Sequence, residues 1–222
     1  MNRRGAATKV VIPGPAGSIE ALAEAESPAP RAVAVVCHPH PLHGGAMTNK
    51  VAYTLARAFQ RAGAVAVRFN FRGVGESSGT HDGGKGERED AAAVVQWARS
   101  SYPGLPLYLG GFSFGAGIAA SVAAALDAAV LVTVALPVAR LADGIRPPGC
   151  PWLIVHGSED ELVALDELKA WVERHAADAR LVVLEGATHF FHGRLRELSE
   201  HVESFVEEAG GPGTAGRAAT EG

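Results

Sequence analysis

The stretch Gly111-Phe112-Ser113-Phe114-Gly115 sets one hydroxyl between two glycines, where an apolar run beginning at Leu107 meets an Ala-rich segment that reaches Leu126. A G-x-S-x-G pattern in that context suits an abrupt turn from a buried strand into a buried helix. The side chain at its tip is held in a strained backbone conformation, and the small flanking residues let strand and helix approach closely. N–H groups of the helix's first turn would then lie beneath the hydroxyl, placed to stabilise a developing anion. The pattern is short and recurs at Gly75-Glu76-Ser77-Ser78-Gly79. That second match lies in a polar, glycine-rich segment with no apolar helix after it, so Ser77 reads as a loop residue.

A serine hydroxyl is a poor nucleophile near neutral pH; it needs a base, and the base needs a group that orients it. Residues of both types follow short apolar runs. His156-Gly157-Ser158-Glu159-Asp160 begins where Trp152 to Val155 ends, and Glu185-Gly186-Ala187-Thr188-His189 begins where Leu181 to Leu184 ends. His189, directly after the last apolar run, is the candidate base, with His192 as its local rival; His81, His175 and His201 read as solvated loop histidines. The orienting carboxylate is one of Glu159, Asp160, Glu161 and Asp166.

The elements that must position these groups alternate in type. Thr8 to Ile12 and Ser18 to Glu24 flank a Pro/Gly turn and read as an edge hairpin. Ala32 to Cys37 is a continuous apolar run, as a strand buried on both faces would be. A helix over Asn49 to Ala62 stops at Gly63, the strand Ala64 to Phe69 follows, and a glycine-rich loop leads to a helix from about Glu87 to Arg99. After the elbow come strands at Ala129 to Ala135, Trp152 to Val155 and Leu181 to Leu184, with a helix near Leu165 to Arg174 between the last two. Leu195, Leu198, Val202, Phe205 and Val206 then mark one face of a final helix. This alternation predicts an α/β architecture: a doubly wound, mostly parallel, eight-stranded sheet with helices on both faces. One domain is expected over residues 1–208, with residues 209–222 a disordered tail.

Ser113, Asp160 and His189 follow three different strands in the chain order Ser, Asp, His. Together with His38-Pro39-His40-Pro41-Leu42-His43-Gly44-Gly45, Arg68-Phe69-Asn70-Phe71-Arg72-Gly73-Val74-Gly75 and Thr188-His189, these motifs resemble the α/β-hydrolase superfamily, specifically its small, lidless bacterial serine hydrolases. The resemblance implies a nucleophile at Ser113, a general base at His189, and Asp160 as the acid, since it alone matches the family's H-G-x-x-D spacing. It also implies two backbone donors for an oxyanion, one from Phe114 and one from the loop after the third strand. There Pro39 and Pro41 have no N–H, which leaves His40 and Leu42. Phe112, Phe114, Leu42 and Phe190 are the expected apolar lining, and Arg72, Gly73 and Gly75 are read as turn and packing residues. Between Leu136 and Cys150 there is no room for a cap domain.

Composition narrows the function classes. A net charge of −4 with scattered Lys and Arg gives no footprint for nucleic acid. No apolar run approaches membrane-spanning length, so a cytoplasmic protein without a membrane partner is expected. Cys37 and Cys150 have no C-x-x-C spacing and read as free thiols. His38, His40 and His43 offer imidazoles, but the prolines hold the segment irregular and no fourth ligand presents itself, so neither metal nor organic cofactor is expected. The sequence reading is a serine esterase or thioesterase acting on a small soluble substrate through an acyl-enzyme, as a monomer or homodimer. Its alternatives are perhydrolase or haloperoxidase chemistry on the same three residues, or a binding protein on a hydrolase fold.

Overall fold

Ala32–Cys37 contains no polar side chain, and a strand of that kind is stable only where both faces are covered. In the computed structural model, which describes residues 7–141 and 145–210, all six of its residues are buried. It is the third strand of an eight-stranded sheet formed by β1 (Thr8–Gly14), β2 (Gly17–Glu24), β3 (Ala32–Cys37), β4 (Ala64–Phe69), β5 (Leu107–Phe112), β6 (Val130–Val134), β7 (Trp152–Gly157) and β8 (Arg180–Leu184). Their spatial order is β1-β2-β4-β3-β5-β6-β7-β8. The β1–β2 hairpin is antiparallel, and β2 joins β4 antiparallel as well; the five remaining pairings are parallel.

The helices are α1 (Lys50–Arg61), α2 (Lys85–Ser101), α3 (Phe114–Ala123), α4 (Leu165–His175) and α5 (Leu195–Ala209). Strand alternation sorts the core into two layers. Val33, Val35 and Cys37 of β3 face Ala91, Val94, Ile118 and Leu168, from α2, α3 and α4. Ala32, Ala34 and Val36 face Leu55, Phe59, Val202 and Phe205, from α1 and α5. The expected doubly wound sheet with helices on both faces is therefore present. Between β6 and β7 the described residues contain only the single short turn Val138–Arg140, and residues 142–144 lie outside them, as do residues 211–222 of the expected tail.

From β3 the chain crosses to β4 on one side, and β5 then lies on the other side of β3. A crevice opens at such a reversal, outside the carboxyl ends of the strands. Register makes the placement specific: Cys37 pairs with Gly111, which sets the loop after β3 beside Ser113. At the other end of the sheet Gly157 pairs with Leu184, which brings the loops carrying Asp160 and His189 together.

Candidate active site

Ser113 connects β5 directly to α3, with φ 53° and ψ −120°. Side chains rarely adopt this backbone region, and holding one there costs about 1–3 kcal/mol. The surroundings enforce it. The Ser113 N–H donates to the Val134 carbonyl at 2.9 Å, while its own carbonyl accepts from Ala116 and Gly117 at 2.8 and 3.2 Å. The flanking glycines are required by contact: a Cβ at Gly111 would lie 2.2 Å from the Gly115 carbonyl oxygen, and one at Gly115 would lie 2.4 Å from the Cys37 and His38 carbonyl oxygens.

The three residues placed after separate strands meet. His189 Nε2 is 3.0 Å from Ser113 Oγ, and its Nδ1 lies 2.8 and 3.0 Å from the two Asp160 carboxylate oxygens. An ionised carboxylate only accepts, so the Nδ1 proton points at Asp160 and the Nε2 lone pair faces the hydroxyl. Asp160 Oδ1 also accepts the Leu162 and Val163 N–H groups, each at 2.9 Å. Burial alone would raise the carboxyl's pKa. The hydrogen bond and charge of His189 and the two backbone donors outweigh burial and hold it below the ordinary carboxylate range.

Side chains that the sequence left as surface charge or ordinary loop residues anchor this group. Glu161 accepts the His189 backbone N–H at 3.0 Å, which fixes the imidazole's loop rather than the imidazole itself. His156, fully buried at the end of β7, bonds through Nε2 to the Val163 carbonyl at 2.9 Å and so clamps the Asp160 loop. Its position as the last side chain of an apolar run was the available sign of burial. His192 is exposed and takes no part.

After β3, His38 is fully buried, and its two nitrogens bind backbone on both sides: Nε2 accepts the Phe71 N–H at 3.0 Å and Nδ1 donates to the Pro39 carbonyl at 2.6 Å. This leaves no lone pair for a metal, and among the described residues no group of three or more His, Cys, Asp or Glu could hold one. The Leu42 N–H turns back to His40 Nδ1 at 3.3 Å, and the Leu42 side chain is 71% exposed. Leu42 therefore drops out as an oxyanion donor. The His40 N–H has no hydrogen-bond acceptor among the described residues, and Phe114 N–H, in the first turn of α3, has none within its helix. Two other expectations need correction. Phe112 is fully buried, its ring 5.2 Å from that of His189, so it supports the imidazole and has no surface to line a site. His81 is not a solvated loop histidine, because Nδ1 bonds the buried Glu87 carboxylate at 2.8 Å and its ring packs against Phe114. Phe190, 45% exposed, remains at the rim. Arg72 is a packing residue as expected, its guanidinium held by buried Asp90 at 2.9 and 3.0 Å.

Burial drives the His38 pKa down from 6.5 to about 4, against the opposing bond to Pro39. The unfolded chain binds this proton near pH 6.5 and the folded chain resists it, so the associated stability is complete above pH 6.5 and is lost as pH falls towards 4. Denaturant titrations should show a fall of about 3 kcal/mol over that window. In His38→Gln the slope should flatten but persist in part, because buried His156 is shifted in the same direction. An unchanged slope in that variant would mean that His38 is not the titrating group.

A family model described as the alpha/beta hydrolase fold matches residues 42–143. The fold is similar to that of an α/β serine hydrolase homologue from Coxiella burnetii at 44% identity and TM-score 0.85, covering 89% of this chain and 96% of that one. It is equally similar to a Xanthomonas campestris α/β serine hydrolase without a lid, at 37% identity and TM-score 0.85, covering 91% and 94% of the two chains. An uncharacterized protein of Rickettsia prowazekii is 34% identical over 211 residues, which span 89% of this chain and 88% of that protein. Strand order, elbow and relatives agree: the chain belongs to the α/β-hydrolase family.

Proposed function

We propose that this protein is a serine hydrolase that cleaves a carboxylic ester or thioester of a small substrate through an acyl-enzyme. One observation carries the reading: the line from Ser113 Oγ through His189 to buried Asp160, at 3.0 and 2.8 Å. As Oγ attacks the carbonyl carbon, its proton moves to His189 Nε2 and the carbonyl's π pair becomes an oxyanion facing the N–H groups of His40 and Phe114. Collapse expels the alcohol or thiol, which takes the proton from His189. Water then repeats the sequence and releases the acid and free Ser113. Asp160 holds the tautomer and stabilises the imidazolium.

The ester or thioester preference rests on the shape of the site. An amide leaving group needs more binding energy spent on distortion, drawn from remote contacts that short loops without a cap do not offer. We place the protein in the cytoplasm; among the described residues, no helix is long and apolar enough to cross a membrane. A fluorophosphonate probe should label the purified protein, and a series of p-nitrophenyl esters and acyl thioesters should show turnover that varies with acyl length. Absence of labelling in a folded sample would refute the proposal. Turnover that required added peroxide would assign the perhydrolase chemistry instead.

A further inference from the structure

A cavity of about 320 Å³ opens beside the elbow, at the small end of the ~300–1,000 Å³ typical of small-molecule sites. Phe114, Gly117 and Ile118 from the first turns of α3 line it together with Leu141 and Ile145, which add apolar surface. Among the described residues the titratable side chains on its lining are His40, His81, Arg88 and Arg140, with no carboxylate among them. That balance is unexpected in a chain of net charge −4. Among the described residues neither guanidinium has an ion-pair or hydrogen-bond partner, whereas Arg31, Arg99 and Arg174, which also form no ion pair, each donate to a backbone carbonyl. The buried acid that His81 bonds, Glu87, is also taken up by the Asp82 and Gly84 N–H groups.

Stereochemistry assigns the cavity to one half of the substrate. The leaving group must take its proton from His189 Nε2 and therefore departs on the histidine side. The cavity touches His40 and Phe114, the residues of the proposed oxyanion hole, and nothing from the Asp160 or His189 loops. It is left for the acyl chain. Arg140 is close enough to His40 to help keep that imidazole neutral, after burial and the neighbouring His43 and His81. The cation thus belongs to this site and not to a distant surface.

We infer that the acyl group carries its own carboxylate, bound by Arg88 and Arg140, so that the preferred substrates are half-esters or half-thioesters of dicarboxylic acids. The inference rests on the hydrolase reading above. Guanidinium is matched to carboxylate by its planar fork of donors, and the apolar walls between serine and arginines suit a methylene chain.

The test compares mono-p-nitrophenyl adipate and suberate with their methyl-capped, neutral counterparts, in wild type, Arg88→Gln, Arg140→Gln and Arg140→Lys. Wild type should favour the free carboxylates by roughly tenfold or more in kcat/KM. That ratio should collapse towards one in Arg140→Gln, recover partly in Arg140→Lys, and shrink as salt is raised, because the guanidiniums are exposed. Taking a ratio cancels any effect of the substitution on the oxyanion hole. A wild-type ratio near one, or one unchanged in both glutamine variants, would overturn the proposal. Calorimetric binding of monomethyl adipate to wild type and Arg140→Gln separates the two levels. Arginine-dependent binding without fluorophosphonate labelling would sink the hydrolase reading and keep the anion site; labelling with no binding and no ratio would do the reverse.

Discussion

Replacing Ser113 by glycine is expected to abolish activity and to stabilise the protein at the same time. Among the described residues the hydroxyl is the only hydrogen-bond partner of His189 Nε2, so kcat on any ester should fall by more than about 10⁴-fold, towards the residual that an oxyanion hole and binding alone supply. Fluorophosphonate labelling should disappear. At φ 53° and ψ −120°, however, a serine is strained and a glycine is not. Relief of that strain should add about 1–2 kcal/mol, less the extra unfolded-state freedom of glycine. For a chain of this size the melting temperature should rise by roughly 2–4 °C per kcal/mol. Ser113→Ala separates the effects, because it removes the nucleophile and keeps the Cβ; it should be equally inactive without the gain. Equal melting temperatures for the two variants would show that the elbow stores no strain.

That strain explains why the elbow was legible. Packing at the switch point leaves no space for a Cβ on either side of Ser113, and the demand for glycine appears directly in the residue types. The parallel strands were legible for a related reason: burial on both faces erases alternation and leaves uninterrupted runs such as Ala32–Cys37 and Ala64–Phe69. Placing Asp160 and His189 just after such runs brought them near Ser113, because the ends of parallel strands share one edge of the sheet.

The histidines show where legibility stops. His38, His81, His156 and His189 are one residue type with four roles, and the role depends on the atom each nitrogen meets. For His38 that atom is the N–H of Phe71, 33 residues away, and nothing local in the sequence announces it. The same holds for the orientation of a side chain at the end of a strand. Phe112 and Phe190 are both aromatic neighbours of the site, yet strand alternation turns the first into the core formed with α1 and α5. The second stands at the rim. Glu161 was also hidden, because its partner is a backbone N–H in another loop.

Asp160→Asn is the sharpest test of what the buried carboxylate does, because its neighbours dictate how the amide must turn. Oδ1 of Asp160 accepts two backbone N–H groups, from Leu162 and Val163, at 2.9 Å each. An amide oxygen has to occupy that position, since an NH₂ there would set donors against donors in a site where the side chain is fully buried. The NH₂ is then forced towards His189 Nδ1. To accept from it, Nδ1 must lose its proton to Nε2, and an Nε2–H cannot take the proton of Ser113. The variant should fold, because the Leu162 and Val163 N–H groups and His189 Nδ1 each keep a partner, yet kcat should fall by about 10³–10⁴-fold with KM little changed. Raising the pH should restore part of the rate if hydroxide removes the serine proton in place of the trapped imidazole. Retention of more than about a tenth of wild-type kcat would mean that Asp160 anchors its loop and leaves the tautomer of His189 to other groups, with Glu161 the next residue to replace.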